Sequence, residues 1–73
     1  MDKYEERKRI GTRIAELRVS KGMTQEELAE ASGLQQSNLA RVESGRYSTR
    51  LDTLAAIAAA LGYTVDFIRR DGN

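Results

Sequence analysis

Apolar residues recur at three- and four-residue intervals along most of the chain, which is the spacing that places side chains on one face of an α-helix. Ile10, Ile14 and Leu17 show this register in the first of these stretches. Proline, which would interrupt a helix, is absent. The pattern predicts a compact all-α fold with four helices, over residues 3–21, 25–31, 35–44 and 50–61.

Glycines and capping residues mark the ends of these predicted helices. A glycine directly after a helix adopts the left-handed conformation that ends many helices, without the steric cost of a Cβ atom. The glycines in such positions are Gly22, Gly33, Gly45 and Gly62. Two residue pairs have the spacing of a capping box, which starts a helix: Asp2 with Glu5, and Thr24 with Glu27. A third pair, Thr49 with Asp52, resembles such a box.

The end of the chain has a different pattern. Tyr63, Val65 and Phe67 alternate with polar residues in a segment rich in β-branched and aromatic types, which predicts a short C-terminal β-strand over residues 63–69. No other segment of the sequence has a strand pattern. We therefore expect this strand to pair with its copy in a homodimer, through Tyr63, Val65, Phe67 and Ile68. The alternative is a frayed tail with Tyr63 or Val65 against the helical core.

The length of the chain, 73 residues, predicts a single small domain over residues 1–73. A domain of this size buries only about 60% of the surface of its unfolded chain. Cysteine and histidine are both absent, so disulfides and ordinary zinc sites cannot stabilise the fold. Oligomerisation is the stabilising device that remains, and this also favours a homodimer.

The composition argues against catalysis. Without histidine or cysteine the chain has no imidazole base and no thiolate nucleophile, and it contains no glycine-rich phosphate loop. We expect no enzyme activity, no cofactor, no metal and no small-molecule substrate. No apolar run approaches the ~20 residues that span a bilayer, and the N-terminal sequence lacks the apolar stretch of a signal peptide. The expectation is a soluble cytoplasmic protein.

The net charge of +1 conceals patches of alternating sign. Residues 22–34 contain three glutamates and no basic residue, whereas residues 35–50 contain three arginines and one glutamate. A surface that binds phosphate needs local positive charge rather than a basic average. Taken alone, such patches are equally typical of ordinary solvated helix faces.

The second and third predicted helices are joined by a three-residue turn, Ser32-Gly33-Leu34. Ala29 is small at the point where the two helices would cross closely, and Gly33 allows the chain to turn sharply. This arrangement is typical of a DNA-binding helix-turn-helix, in which the second helix enters the major groove.

Residues 24–45, TQEELAEASGLQQSNLARVESG, resemble the phage repressor/Cro-like family of helix-turn-helix domains, also called the Xre family. The resemblance covers roughly residues 8–62, and the predicted strand resembles that of small antitoxin-type members. It implies a homodimer that binds specific double-stranded DNA at a palindromic operator and represses transcription. The alternative is an antitoxin that neutralises a partner toxin while regulating its own operon.

Residue roles follow from this motif and from side-chain chemistry. Gln and Asn can make paired hydrogen bonds to adenine N6 and N7, and Arg can do so to guanine O6 and N7. Base contacts are therefore expected from Gln35, Gln36, Ser37, Asn38 and Arg41. Phosphate contacts, which position a protein without reading sequence, are expected from Gln25, Ser44, Arg46, Arg50 and Arg13.

Two further expectations concern the start and the inner side of the third helix. The family usually has Ser or Thr where Gln35 stands, and Gln is a poor N-cap, so we expect either an irregular first turn or capping by Ser37. The resemblance also implies that Arg18 and Glu43 form a structural salt bridge beneath the surface. A phosphate contact by Arg18 is the alternative.

Overall fold

The computed structural model describes residues 2–71; residue 1 and residues 72–73 of the predicted domain lie outside the described residues. Four helices follow one another within the described range: α1 Lys3–Ser20, α2 Gln25–Ser32, α3 Gln36–Ser44 and α4 Leu51–Ala60. The all-α architecture agrees with the prediction, and each helix end lies within one residue of its predicted position. None of the helices in this range is long and apolar enough to cross a membrane.

The first two helices begin at the predicted capping boxes. Asp2 Oδ1 accepts a hydrogen bond from the Glu5 amide at 2.9 Å, and the Glu5 carboxylate accepts one from the Asp2 amide at 3.2 Å. Thr24 and Glu27 make the same reciprocal pair at 3.0 and 2.8 Å. Each box satisfies backbone amides that have no partner inside the helix.

The capping box predicted for α4 is wrong. The helix begins at Leu51 with Arg50 as its N-cap, and no side chain makes a capping hydrogen bond there. A box formed by Thr49 and Asp52 needs Thr49 as the N-cap, one residue earlier than the observed start. The first turn of α4 therefore forms without that support.

The core is formed by residues from all four helices. Leu28 of α2, Leu39 of α3 and Ile57 of α4 are fully buried, and Ile14 of α1 and Leu61 after α4 are nearly so. Burying each such side chain contributes about 1.5–3 kcal/mol. Because each of the four helices supplies at least one of these residues, the shared core holds the helices together.

α1 and α3 cross with their backbones in close contact at Gly11. A Cβ atom at this position would lie 2.5 Å from the carbonyl oxygen of Val42 and 2.6 Å from that of Glu43. Gly45, which ends α3 at φ +73°, packs in the same way, since its Cβ would lie 2.6 Å from Lys8 Cα. One side of α3 is thus fixed against α1, which leaves the opposite side to face solvent.

The predicted C-terminal strand is absent, because residues 63–69 have no ladder partner within the described chain. A strand exists through its pairing, and the other elements in this range are helices. Tyr63 to Asp66 instead line an apolar groove with α1 and α4, and the Tyr63 amide donates a hydrogen bond to Ala58 O at 2.7 Å. Phe67 and Ile68 extend beyond the groove, 99% and 86% exposed.

Candidate nucleic-acid interface

α3 presents a continuous polar surface to solvent. Successive helical residues are rotated by about 100°, so Ser37, Arg41 and Ser44 form a stripe opposite the buried Leu39 and Val42. Gln36 and Asn38, which are also exposed, flank this stripe. The outer face of α3 consists of Gln36, Ser37, Asn38, Arg41 and Ser44.

α3 begins without a side-chain cap. Gln35 is the N-cap, its side chain makes no capping hydrogen bond, and its carbonyl accepts from the amides of Asn38 and Leu39 at 3.0 and 3.2 Å. Both expectations for this turn are therefore wrong: the turn is helical, and Ser37 lies inside the helix rather than at its cap. Within residues 2–71 the amides of Gln36 and Ser37 have no hydrogen-bond acceptor, so they can bind an acceptor from outside.

The exposed charged residues of the outer face of α3 and of the loop that follows it are all positive. Arg41, Arg46 and Arg50 are exposed, and none of them forms an ion pair within residues 2–71. Glu43, the one carboxylate of residues 35–50, lies on the inner side with 6% of its side chain exposed. The surface therefore carries unpaired positive charge with no exposed carboxylate between its arginines, which suits a phosphate backbone.

On the inner side of α3, Glu43 forms an ion pair with Arg18. Arg18 Nε and Nη2 donate to the two carboxylate oxygens of Glu43 at 2.8 and 3.1 Å, and Nη1 donates to Met23 O at 2.9 Å. The Arg18 side chain is 15% exposed. This bidentate pair is the salt bridge that the resemblance implied. Its geometry disfavours the phosphate contact considered for Arg18, because all three guanidinium nitrogens already donate inside the protein.

Gln25 belongs to the same inner network. Its Nε2 donates to Glu43 Oε1 at 3.0 Å, and the residue is half-buried at the start of α2. The side-chain amide therefore links α2 to α3, an internal role that sequence reasoning did not identify. This hydrogen bond uses one of the two N–H donors of the side-chain amide, so the second is still able to donate to a phosphate.

The loop after α3 brings an aromatic ring to the outer face. The guanidinium carbon of Arg41 lies 5.4 Å from the centroid of the Tyr47 ring, which is a cation–π contact. Arg41, Asn38 and Tyr47 line one groove together with residues 48–50 of the loop. Sequence reasoning missed Tyr47 because a loop residue beyond Gly45 has no periodic relation to the helix.

Arg13 lies away from the other predicted phosphate ligands. It follows Gly11 by two residues, so it points about 200° around α1 from the side that contacts α3. Its guanidinium faces Glu16 at 3.4 Å and borders the apolar groove next to α4.

Ser44, another predicted phosphate ligand, lies on the exposed outer face of α3. Its hydroxyl group donates a hydrogen bond to Arg41 O at 2.8 Å.

Comparison with known families agrees with this geometry. A family model described as helix-turn-helix matches residues 14–68, which include α2, the turn at Gly33 and all of α3. This chain belongs to the Xre-like helix-turn-helix family of DNA-binding transcription regulators. Its third helix, α3, is accordingly the recognition helix of the motif.

Two relatives of this helix-turn-helix domain are regulators by name. The chain is 44% identical over 59 residues to an immunity repressor protein of Bacillus phage phi105, a match covering 81% of this chain and 41% of the repressor. It is 45% identical over 56 residues to an uncharacterized HTH-type transcriptional regulator of Sinorhizobium fredii, covering 77% of this chain and 73% of that protein. The chain thus spans about two fifths of the phage repressor.

Solved structures of two regulators have the same fold. The restriction-modification controller protein C.AhdI from Aeromonas hydrophila superposes with a TM-score of 0.81 at 38% identity, covering 86% of this chain and 91% of that one. The clp gene regulator ClgR from Corynebacterium glutamicum gives 0.76 at 36% identity, covering 80% and 62%. Relatives and fold are those of transcription regulators, which are not enzymes, and they do not favour the antitoxin alternative.

Proposed function

We propose that this protein is a repressor that binds a palindromic operator as a homodimer, with α3 of each protomer in the major groove. The observation that carries the proposal is the outer face of α3. It is polar and solvent-exposed, and exposed arginines without ion pairs in the described chain lie on it and in the loop after it. A helix with this surface can approach phosphates and base edges together.

Base reading is assigned to the first turns of the recognition helix. Arg41 presents a planar fork of donors that matches guanine O6 and N7, while Gln36 and Asn38 can each pair with adenine N6 and N7. Ser37 lies between these two on the exposed side and can bond either type of base edge. Gln35 is exposed just before the helix and completes the set at its N-terminal end.

Phosphate contacts are assigned to the exposed groups that surround the readers. Arg46 and Arg50 lie in the loop after α3, and the amides of Gln36 and Ser37 point out of its N-terminus. The helix dipole and these amides both favour an anion at this end. The inner network of Arg18, described above, holds the recognition helix at the correct angle rather than contacting DNA.

The homodimer is assigned to the C-terminal segment, residues 63–69. Phe67 and Ile68 are large apolar side chains with almost no cover in a single chain, and Val65 is 40% exposed beside them. A second copy related by a two-fold axis would cover these residues and supply the ladder partner that the segment lacks. It would also set two recognition helices at half-sites about 34 Å apart.

In vitro selection of duplex DNA from a random library tests the base-reading assignment. Arg41→Ala is expected to weaken binding by about 1–3 kcal/mol and to relax selection at one base pair of each half-site. The matched control is Arg46→Ala, which removes an equally exposed arginine from the loop and should weaken all sequences alike. An Arg41→Ala protein that selects the wild-type site with wild-type affinity would contradict the assignment.

A further inference from the structure

Arg41 is held in a way that differs from the paired arginines of α1. Arg9, Arg13 and Arg18 each face a glutamate within 3.4 Å. Arg41 makes no hydrogen bond or ion pair through its guanidinium in residues 2–71, and its contact is the ring of Tyr47. A long side chain on an exposed helix face would otherwise sample many rotamers.

The contact with the ring leaves Arg41 able to bind a base. Guanidinium donors lie in the plane of the group, so they point along its edge. A ring on one side of the group therefore restricts where the guanidinium can lie, while N–H groups that point away from the ring stay available. The ring contact and bidentate hydrogen bonding to a base are compatible, and the contact reduces the side-chain entropy that base binding must remove.

Tyr47 lies between two grooves, one along α3 and one along α1. Its ring borders the groove with Asn38 and Arg41 on α3, and it also borders a second groove with Arg7 and Ile10 on α1. The side chain is 54% exposed, so about half of it is covered. The half-covered ring therefore lies at the boundary between α1 and α3, next to the flexible side chain of Arg41.

We propose that Tyr47 is a positioning residue that orients Arg41 and so sets the strength of base selection at the pair that Arg41 reads. The inference rests on the proposed function, since it assigns Tyr47 a role at the same DNA-binding surface. Tyr47 acts through Arg41 and needs no contact of its own with a base.

Four variants, compared with wild type and with Arg41→Ala, test the proposal on the selected duplex and on duplexes altered at the pair read by Arg41. Tyr47→Leu removes the π face and is expected to reduce both affinity and discrimination at that pair by about 2- to 5-fold, the strength of an exposed cation–π contact. Tyr47→Phe keeps the face and should retain wild-type selection. In an Arg41→Ala background, Tyr47→Leu should have no further effect on selection. Tyr4→Leu is the matched control, because Tyr4 is also 54% exposed but lines a groove formed by α1 residues alone.

A second measurement needs neither DNA nor a variant. Protons of the Arg41 side chain stacked over the Tyr47 ring should show upfield ring-current shifts in the NMR spectrum of the wild-type protein, so their absence would overturn the proposal even if Tyr47→Leu failed to fold. Unchanged or tighter selection by a folded Tyr47→Leu protein would also overturn it, since the ring would then be irrelevant or would sequester Arg41. Wild-type protein that binds no duplex would instead overturn the proposed function, and with it the effect of Tyr47 on base selection.

Discussion

Arg18 and Arg41 show how the surroundings of one residue type determine its role. Arg18 is 15% exposed and donates from all three nitrogens to Glu43 and to a backbone carbonyl. Arg41 is exposed on the outer face of α3, and within residues 2–71 its guanidinium lies over the Tyr47 ring without a hydrogen-bond or ion-pair partner. Arg18 therefore contributes to stability, whereas the donors of Arg41 are available to a ligand.

Arg18→Ala is expected to destabilise the protein severely. Removing one partner of a buried pair leaves the other charge unmatched, which costs about 3 kcal/mol or more. A core of this size supplies only about 3–5 kcal/mol in total, so the variant should be largely unfolded at 37 °C in a thermal melt. Arg13→Ala is the control, because its pair with Glu16 is 60% exposed on both sides and should matter little. Wild-type melting of Arg18→Ala with lost DNA affinity would make Arg18 a phosphate ligand instead.

Sequence reasoning reached some of these residues and not others. The Arg18–Glu43 pair came from the resemblance to a family, since no periodicity relates residues 25 positions apart. The position of Gln25 at a helix start predicts a phosphate contact, and its additional hydrogen bond to Glu43 could not be predicted because it depends on how α2 and α3 pack. Tyr47 was missed because the turn at Gly45 brings it to Arg41, and such a contact depends on tertiary structure.

At the scale of elements, two close backbone contacts fix the recognition helix. Gly11 admits the carbonyls of Val42 and Glu43, and Gly45 admits the backbone of Lys8. Backbone atoms cannot move aside as a flexible side chain can. The position of α3 on α1 therefore depends on the absence of a side chain at two sites.

A comparison of two glycine variants tests this dependence. Gly33 and Gly45 end α2 and α3 at nearly the same conformation, φ +72° and +73°. Gly33→Ala should cost about 1–2 kcal/mol because an L-residue is strained there, and a Cβ at Gly33 would meet nothing within 4 Å. Gly45→Ala should cost an additional 1–3 kcal/mol or so, because its Cβ would overlap Lys8.

Chemical denaturation measures the two free energies of unfolding, with the m-values checking that both variants unfold in the same way. Equal losses for Gly33→Ala and Gly45→Ala would show that α3 can shift away from α1 without cost. That result would show that the close contact between Gly45 and Lys8 does not orient the recognition helix.

The helices could be predicted from the sequence because their signals are local. Apolar spacing, the glycines and the boxes at Asp2 and Thr24 act within a few residues of one another. The strand predicted over residues 63–69 is absent from the single chain, since alternation describes a side-chain pattern and not the presence of a partner. The box at Thr49 failed for a related reason: α4 starts at Leu51, and no local signal excluded the earlier start.

On the scale of the whole molecule, polar and apolar surfaces occupy different places. The outer face of α3 carries the exposed arginines, whereas the C-terminal segment carries the large exposed apolar residues Phe67 and Ile68. A thin core gives the single chain little stability of its own. Burial of Phe67 and Ile68 between two copies would add stability and would also pair the recognition helices.

Phe67→Ser is expected to convert the dimer to a monomer. The side chain is 99% exposed in the single chain, so its loss should not disturb the fold while it removes apolar area from the proposed interface. Sedimentation equilibrium at tens of micromolar should give a dimer for wild type and a monomer for the variant. Val19→Ser, at a 64% exposed apolar residue on α1, is the control and should remain dimeric. A monomeric wild type, or a dimeric Phe67→Ser protein, would place the interface elsewhere or remove it.

Binding of specific duplex DNA by the outer face of α3 can be measured in a salt-dependent gel-shift titration. The wild-type protein is titrated against the selected duplex and a scrambled duplex of equal length across a range of salt concentrations. We expect tighter binding to the selected duplex, with log K falling linearly in log salt at a slope of about −3.6, from two phosphate-binding arginines in each of two protomers. Equal affinity for both duplexes, or no binding to either at low salt, would show that α3 does not bind specific duplex DNA.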